Sequence, residues 1–429
     1  MYRPGSAVEK LKQINIKYYP PSLTFEIEKN GETSESIIDL QQITIDTDPE
    51  DLADMIMQSE SVLQPKHRPK LIETIKKLIK MQGVDYNTFE LARVHKAHEM
   101  PLTDCSFNKM GELFITASDD RTCRVWETET GKQVHCLTGH KNTVYCCRFN
   151  NPVGDLIATG SGDKTAIIWN LQNGQMLYQL TGHTKDVVAV QFDHGSHTIA
   201  TASLDATCRI YDVETGQFHI ALTGHSRDVT HVEYSVDDDL LLTSSFDGTA
   251  KLWDVRSGTE ISVLAGHKAE VSIAHFDRLC EKALTASMDG TARLWDLRMG
   301  STLKELKGHT GAVLDAAWSP DGKFIGTASA DTTARIWDEN GEQQFHCQGH
   351  TGEVSRVMFS PQSTKMLTAS DDSTCKLWDS FTGFDIETLR GHTNQIMSCA
   401  FNYSGEWIIT ASHDNTVIQW KATRTDFRC

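Results

Sequence analysis

Long apolar runs are missing from this 429-residue chain. None reaches the roughly 20 residues that a helix needs to cross a bilayer. The opening stretch, MYRPGSAVEKLKQINIKYY, holds no apolar segment of the secretory kind. Together these absences lead to the expectation of a protein inside the cell. A basic excess is missing as well: 41 Lys and Arg face 58 Asp and Glu, for a formal charge of −17. Neither nucleic acid nor an anionic membrane surface is therefore an expected partner. The 11 cysteines are odd in number, contain no CxxC pair, and mostly lie in strand-like runs such as TVYCCRF. They read as free thiols packed as small hydrophobes. In the vicinal pair Cys146–Cys147, strand alternation sends the side chains to opposite faces, which argues against a redox couple. No long helical period separates the strand-like runs, so parallel βαβ units are excluded.

What is present is a repeat. The stretch LTSSFDGTAKLWD, with His225 upstream, holds Ser245, Asp247 and Trp253. Ser, His and Asp are the parts of a hydrolase triad. Yet the Ser-x-Asp-x-Thr core occurs eight times, with aspartates at 120, 163, 205, 247, 289, 331, 372 and 414. An aromatic follows each aspartate by six residues, and a histidine precedes each by 22 or 23. The period is 41–43 residues, and each repeat carries four short runs rich in β-branched and aromatic residues, separated by turn residues. A nucleophile is needed once, so eight copies read as architecture rather than catalysis; no catalytic residue is assigned.

This pattern of Gly-His and Trp-Asp landmarks resembles the WD40 repeat family, over roughly residues 88–421. Tyr211 replaces one tryptophan, and Glu127, Asn170 and Lys421 replace the terminal Asp. The resemblance implies an all-β protein, a β-propeller of four-stranded blades around a channel. It also implies buried structural tetrads: His140, Ser161, Asp163 and Trp169; His225, Ser245, Asp247 and Trp253; His267, Ser287, Asp289 and Trp295; His309, Ser329, Asp331 and Trp337. In that scheme Asp accepts from the turn and from His, His meets Ser, and Ser meets the indole N–H.

The repeats also predict how the ring closes. After Trp420 only KATRTDFRC remains, so the last repeat lacks a good outer strand. TFELARVHKAH (88–98) is an outer strand with no inner strands before it. The early strand is expected to complete the late blade, giving eight blades and no open sheet edge. Residues 1–85 do not repeat and read as an α+β domain, with 86–429 the propeller and the boundary within Gly83–Thr88. LTFEIE alternates, and Asn30–Gly31 is a hairpin turn. TDPEDLADMIMQSES is a helix with Asp48 as N-cap and Pro49 in the first turn. RPKLIETIKKLIKMQ is a second helix, with Leu71, Ile72, Ile75, Leu78 and Ile79 on one face and Lys70, Lys76, Lys77 and Lys80 on the other. Those lysines read first as a solvated face; the alternative is a docking surface for an acidic partner.

The N-terminal IKYYPPSLTFEIEKNGE…SIIDL, followed by an acidic helix, a basic helix and eight repeats, resembles the WD-repeat assembly factors of axonemal dyneins. That resemblance implies a non-catalytic cargo adaptor, without cofactor or metal. It would couple preassembled outer-arm dynein to intraflagellar transport complex B, in the cytoplasm and at the cilium, axoneme and basal body, and a monomer is expected. Two other functions compete: a substrate receptor of a cullin-type ubiquitin ligase, against which the absence of an F-box-like leader counts, and a lissencephaly-type dynein regulator, which has seven repeats and a dimerising helix pair.

Candidate contact residues follow from the repeat. In three consecutive copies the residue inside Ser-x-Asp is large and apolar: Leu204, Phe246 and Met288. Three after His in the same copies stand Asp186, Asp228 and Glu270. An apolar strip beside an acidic arc is expected on one rim, suited to a basic segment. The alternative is that these side chains pack over the channel mouth. Other motifs are weaker. ATGSGDKTA lacks the order of a phosphate loop, His194 and His197 lack further metal ligands, and Asp237–Asp239 lack an EF-hand loop.

Overall fold

A computed structural model describes residues 10–17, 22–29, 32–40, 43, 47–59, 62–82, 84–151 and 153–427. The expected Asn30–Gly31 turn and the Tyr18–Pro21 segment lie outside them. The chain forms two compact units, Met1–Tyr86 with Arg424–Cys429, and Asn87–Thr423.

In the first unit, strands β1 (Lys10–Lys17), β2 (Ser22–Lys29) and β3 (Glu32–Asp39) form an antiparallel sheet in the order β1-β2-β3. Helices α1 (Pro49–Ser59) and α2 (Arg68–Gln82) follow. The Asp48 carboxylate accepts the backbone N–H of Glu50 at 2.7 Å, satisfying a donor that the first turn of α1 leaves open. Alternation in β2 buries Leu23 and Phe25, and the helical period in α2 buries Leu71, Ile75 and Leu78 in the same cluster. Arg68 holds α2 to α1 through both carboxylate oxygens of Asp54, at 2.7 and 3.0 Å.

The second unit is a propeller of eight four-stranded antiparallel blades. Blade 1 runs through Leu102–Phe107, Leu113–Ser118, Thr122–Glu127 and Gln133–Thr138, from channel to rim. Blades 2 to 7 occupy 144–180, 187–223, 229–265, 271–306, 313–348 and 354–390. In blade 8, Ile396–Phe401, Trp407–Ser412 and Thr416–Phe427 pair outward to β4 (Val84–Lys96). The ring thus closes by the early strand completing the late blade, as expected. Gln419 fixes that closure: buried, it donates to the Thr128 carbonyl at 2.9 Å and meets His95 Nε2 at 2.9 Å.

Burial follows position in the blade. Second strands such as Leu113–Ser118 are covered on both faces by neighbouring blades and are almost wholly buried. Outer strands such as Gln133–Thr138 are mostly exposed. Between blades 1 and 2 lie Ile115, Val125, Val144, Ile157, Ile167 and Trp169. Cys147 belongs to that cluster and Cys146 to the next, so the vicinal thiols face opposite ways, and burial pushes Cys146 up to about 12. The first strands line a channel of about 690 Å³. There Asp104, Glu233 and Asp315 each accept a backbone N–H of the next blade, from Cys147 (3.3 Å), Phe276 (2.9 Å) and Val357 (2.9 Å).

Candidate functional site: the Gly-His rim

Each of the eight turns is built around one histidine. In blade 4, Trp253 Nε1 donates to Thr243 Oγ1 at 2.9 Å, and Thr243 Oγ1 lies 2.8 Å from His225 Nε2. His225 Nδ1 lies 2.8 Å from Asp247 Oδ2. A neutral histidine carrying its proton on Nδ1 satisfies the whole chain: indole to hydroxyl, hydroxyl to Nε2, Nδ1–H to carboxylate. The other Asp247 oxygen accepts Thr249 N–H at 2.9 Å and Thr249 Oγ1 at 2.6 Å. The same geometry recurs at His140, His267 and His309, with Thr159, Thr285 and Thr327.

The serine of the expected tetrad is therefore corrected to threonine. Ser161, Ser245, Ser287 and Ser329 touch neither histidine nor indole. Their hydroxyls donate to the carbonyls of Asn142, Arg227, Ala269 and Gly311 and accept the N–H of Asp163, Asp247, Asp289 and Asp331. The reason is the cross-strand register: Trp253 pairs with Leu241, two residues from Thr243 and four from Ser245. Thr243 and Ser245 are two apart and share a strand face, but Ser245 ends the strand and lies beside the turn, one step beyond the indole. A threonine two before each serine was the available signal. Tyr211 breaks the chain: its hydroxyl donates to the Thr181 carbonyl at 3.0 Å, out of register with Thr201. The hydroxyl that does meet the histidine, Thr243 Oγ1, is fully buried and also accepts the Trp253 N–H, a bridging role inside the blade.

Burial pushes the His225 pKa down, against the opposing pull of Asp247. For Asp247 burial acts upward but loses to hydrogen bonds from Thr249 and His225, and the carboxyl stays below its usual range.

On the rim above, Leu204, Phe246 and Met288 each donate a backbone N–H to the main-chain carbonyl of Asp186, Asp228 and Glu270 in turn, at 2.9–3.0 Å. Leu204 and Phe246 are half-buried, and Met288 is exposed. Each apolar residue thus lies next to its acid, with Met288 the most exposed of the three. The acids are not a bare arc. Tyr145 donates to Asp186 at 3.2 Å, Lys185 pairs with Asp228 at 3.4 Å, and Arg227 pairs with Glu270 at 2.9 Å. These partners come from the preceding blade, 41 to 43 residues earlier. The expected attraction for a basic segment is accordingly offset at Asp228 and Glu270 by a cation, while Asp186 meets only a neutral hydroxyl and keeps its charge. On α2, Lys76 and Lys77 are exposed, Lys77 pairs with Glu73 at 2.9 Å, and the side chain of Lys80 lies outside the described residues. From the weaker motifs, His194 and Asp238 meet at 2.9 Å across two neighbouring turns.

The chain resembles Dynein assembly factor with WD repeat domains 1 of Mus musculus, 42% identical over 146 residues, which are 33% of this chain and 35% of that protein. The Danio rerio and Homo sapiens proteins of the same name are each 41% identical, with the same shares covered. The matched part thus spans about a third of the length of these relatives. Among solved structures, the crystal structure of the computationally designed Ika8 protein aligns with a TM-score of 0.68 over 76% of this chain and 97% of that one; at 24% identity this shows the fold alone. The model of the WD domain, G-beta repeat, matches residues 89–127, 131–170, 174–212, 216–254, 258–296, 300–338, 341–379 and 383–421. With eight repeats, eight blades and a His–Thr–Trp chain in seven of them, this chain belongs to the WD40 repeat family.

Proposed function

We propose that this chain is a non-catalytic scaffold in axonemal dynein assembly. It would couple preassembled outer-arm dynein to intraflagellar transport complex B for delivery into motile cilia and flagella. The observation that carries the reading is the 40–42% identity, over a third of the chain, to proteins named as dynein assembly factors. Fold alone would not carry it, because propellers of one architecture serve many functions. The rim of blades 3 to 5 supports a docking role. Leu204, Phe246 and Met288 stand on three adjacent blades; Asp228 and Glu270 beside them are paired with cations and Asp186 is not, so the strip offers apolar contact and one uncompensated carboxylate. The exposed lysines of α2 provide a second, cationic surface suited to an acidic partner. Two separate surfaces are what an adaptor between cargo and carrier needs.

The test is affinity purification of the full chain from ciliated cells, beside the double variant Phe246→Ala, Met288→Ala. The native chain should recover axonemal dynein and transport-complex proteins. The variant should recover at least tenfold less of one set while its unfolding temperature stays within about 2 °C of the native one. Cullin components in place of dynein would turn the assignment toward a ubiquitin-ligase receptor. Undiminished capture by the variant would remove the strip as the docking site.

A further inference from the structure

The eight blades act as controls for one another, and one inter-blade notch differs from the rest. It is an opening of about 270 Å³ on the Gly-His rim between blades 5 and 6, lined by Lys268, Asp289, Arg293, Glu305 and Lys307. Four positions recur in each such notch: the residue after His, the residue four after Asp, and those four and two before the next His. In the notch of His267 they are Lys268, Arg293, Glu305 and Lys307. The notch of His225 has Ser226, Lys251, Val263 and Ala265; that of His309 has Thr310, Arg335, His346 and Gln348. In that of His350 two of the four, Lys376 and Arg390, are cations, and Lys376 is held by Asp385. Only blade 5 combines three Lys or Arg at these positions.

The charges of that notch are unevenly met. Asp289 is spent within its own turn, accepting from Thr291 N–H and Oγ1, from His267 Nδ1 and from Lys268 N–H. Glu305 alone bridges two cations, Arg293 at 3.3 Å and Lys307 at 2.9 Å. The exposed Lys268 ammonium has no carboxylate within ion-pair distance among the described residues; the buried Arg293 Nε lacks a hydrogen-bond partner, as do those of Arg124, Arg209 and Arg335 at the same position of other blades, so Lys268 is what sets this notch apart. Three cations thus stand over two carboxylates, one of them saturated, on a chain whose overall charge is −17. Cations left under-neutralised against such a background mark a place for an added anion.

We propose that this notch receives the phosphate of a phosphorylated serine or threonine side chain on a protein partner, with Met288 of the adjoining turn contacting an apolar neighbour of that residue. A phosphate brings nearly two negative charges and three acceptor oxygens, which suits the ammonium and guanidinium donors of blade 5 and its flanking loops. The space admits one such group. A nucleic acid would need a track of cations, and a lipid surface a flat basic field. The proposal rests on the reading of this rim as a docking face, and it reverses the partner charge expected from the acids alone.

The test uses the full chain and three probes: acetyl-Gly-Leu-Gly-phosphoserine-Gly-Leu-amide, its unphosphorylated twin, and inorganic phosphate, followed by calorimetry or fluorescence polarisation. The phosphopeptide is expected to bind at least tenfold more tightly than its twin and than inorganic phosphate. Lys268→Gln with Lys307→Gln should abolish that preference without changing the unfolding temperature. Lys141→Gln, in a notch whose other positions are Ile167, Gln179 and Thr181, should keep it. Equal binding of the twins, a preference that survives the double variant, or inorganic phosphate binding as well as the peptide would each overturn the proposal. So would capture by phosphatidylcholine vesicles carrying phosphoinositide in preference to the peptide. If the lysine variant keeps partner capture while Phe246→Ala, Met288→Ala loses it, the docking face stands and the phosphate site falls. If the phosphopeptide preference holds while capture ignores Phe246 and Met288, the strip falls instead.

Discussion

Thr243 serves two buried partners at once, and its hydroxyl is what a methyl group cannot replace. Thr243→Val keeps the shape and the β-branched preference of the strand but leaves the Trp253 N–H and His225 Nε2 without their partner. Each stranded group costs about 1–3 kcal/mol, so a loss of about 2–6 kcal/mol is expected in denaturant unfolding. Ser245→Ala provides the contrast. Its hydroxyl serves only the Arg227 carbonyl and the Asp247 N–H. In an NMR spectrum the indole N–H of Trp253 should shift strongly in Thr243→Val and hardly in Ser245→Ala; the opposite pattern would restore serine to the tetrad.

At the scale of the element, the Ser-x-Asp turn carries a uniform strain. The residue after Asp has a positive φ in all eight copies, from 64° at Ser373 to 83° at Gly248. Glycine fills it only at Gly248 and Gly290, while Thr332 holds 68° with a β-branched side chain. Thr332→Gly should relieve about 1–2 kcal/mol of left-handed strain, less the added entropy of an unfolded glycine, for a net gain of about 0.5–1 kcal/mol. The midpoint of denaturant unfolding should rise with an unchanged slope, and a lower midpoint would show that the turn carries no such strain. The repeat itself was fully legible, because period, aromatic and histidine are all fixed along the chain. So was ring closure, because a blade must own four strands and the ends owned complementary parts. The threonine was not. It stands in every repeat, but the serine shares its strand face, and only the register against the Trp-bearing strand decides which hydroxyl lies under the indole. The pairs Lys185–Asp228 and Arg227–Glu270 were hidden for a different reason: they join neighbouring repeats, so no pattern within one repeat displays them.

At the scale of the molecule, closure through β4 leaves no terminal blade free to unravel from an open edge, so the tetrads should report on one shared transition. Burial lowers the pKa of six of their histidines, at 140, 183, 225, 267, 309 and 350, despite the carboxylate beside each. Unfolded, these groups titrate near pH 6.5. Below that pH the unfolded chain binds more protons than the folded one, so folding weakens as pH falls; above it, the contribution is complete. Each excess proton on the unfolded chain steepens the loss by about 1.4 kcal/mol per pH unit. His275 works the other way. Burial lowers its pKa, but Glu233 at 3.0 Å outweighs that and raises it, so its contribution is present at low pH and is lost as pH climbs through its raised value. One such group stands against these six and against His67, His231 and His346, which burial also lowers. The tetrad aspartates add a second stage, since Asp205, Asp289 and Asp372 lie at about 2 and their stabilisation is lost only as pH falls below the ordinary carboxylate range. The unfolding temperature should therefore be flat from about pH 8 to 7, fall from about pH 6.5 through the histidine range, and fall again below about pH 4. His225→Gln should lessen the first fall and leave the second in place. A temperature that stays level from pH 7 to 5 would mean that the histidines are as easily protonated in the blades as in the unfolded chain.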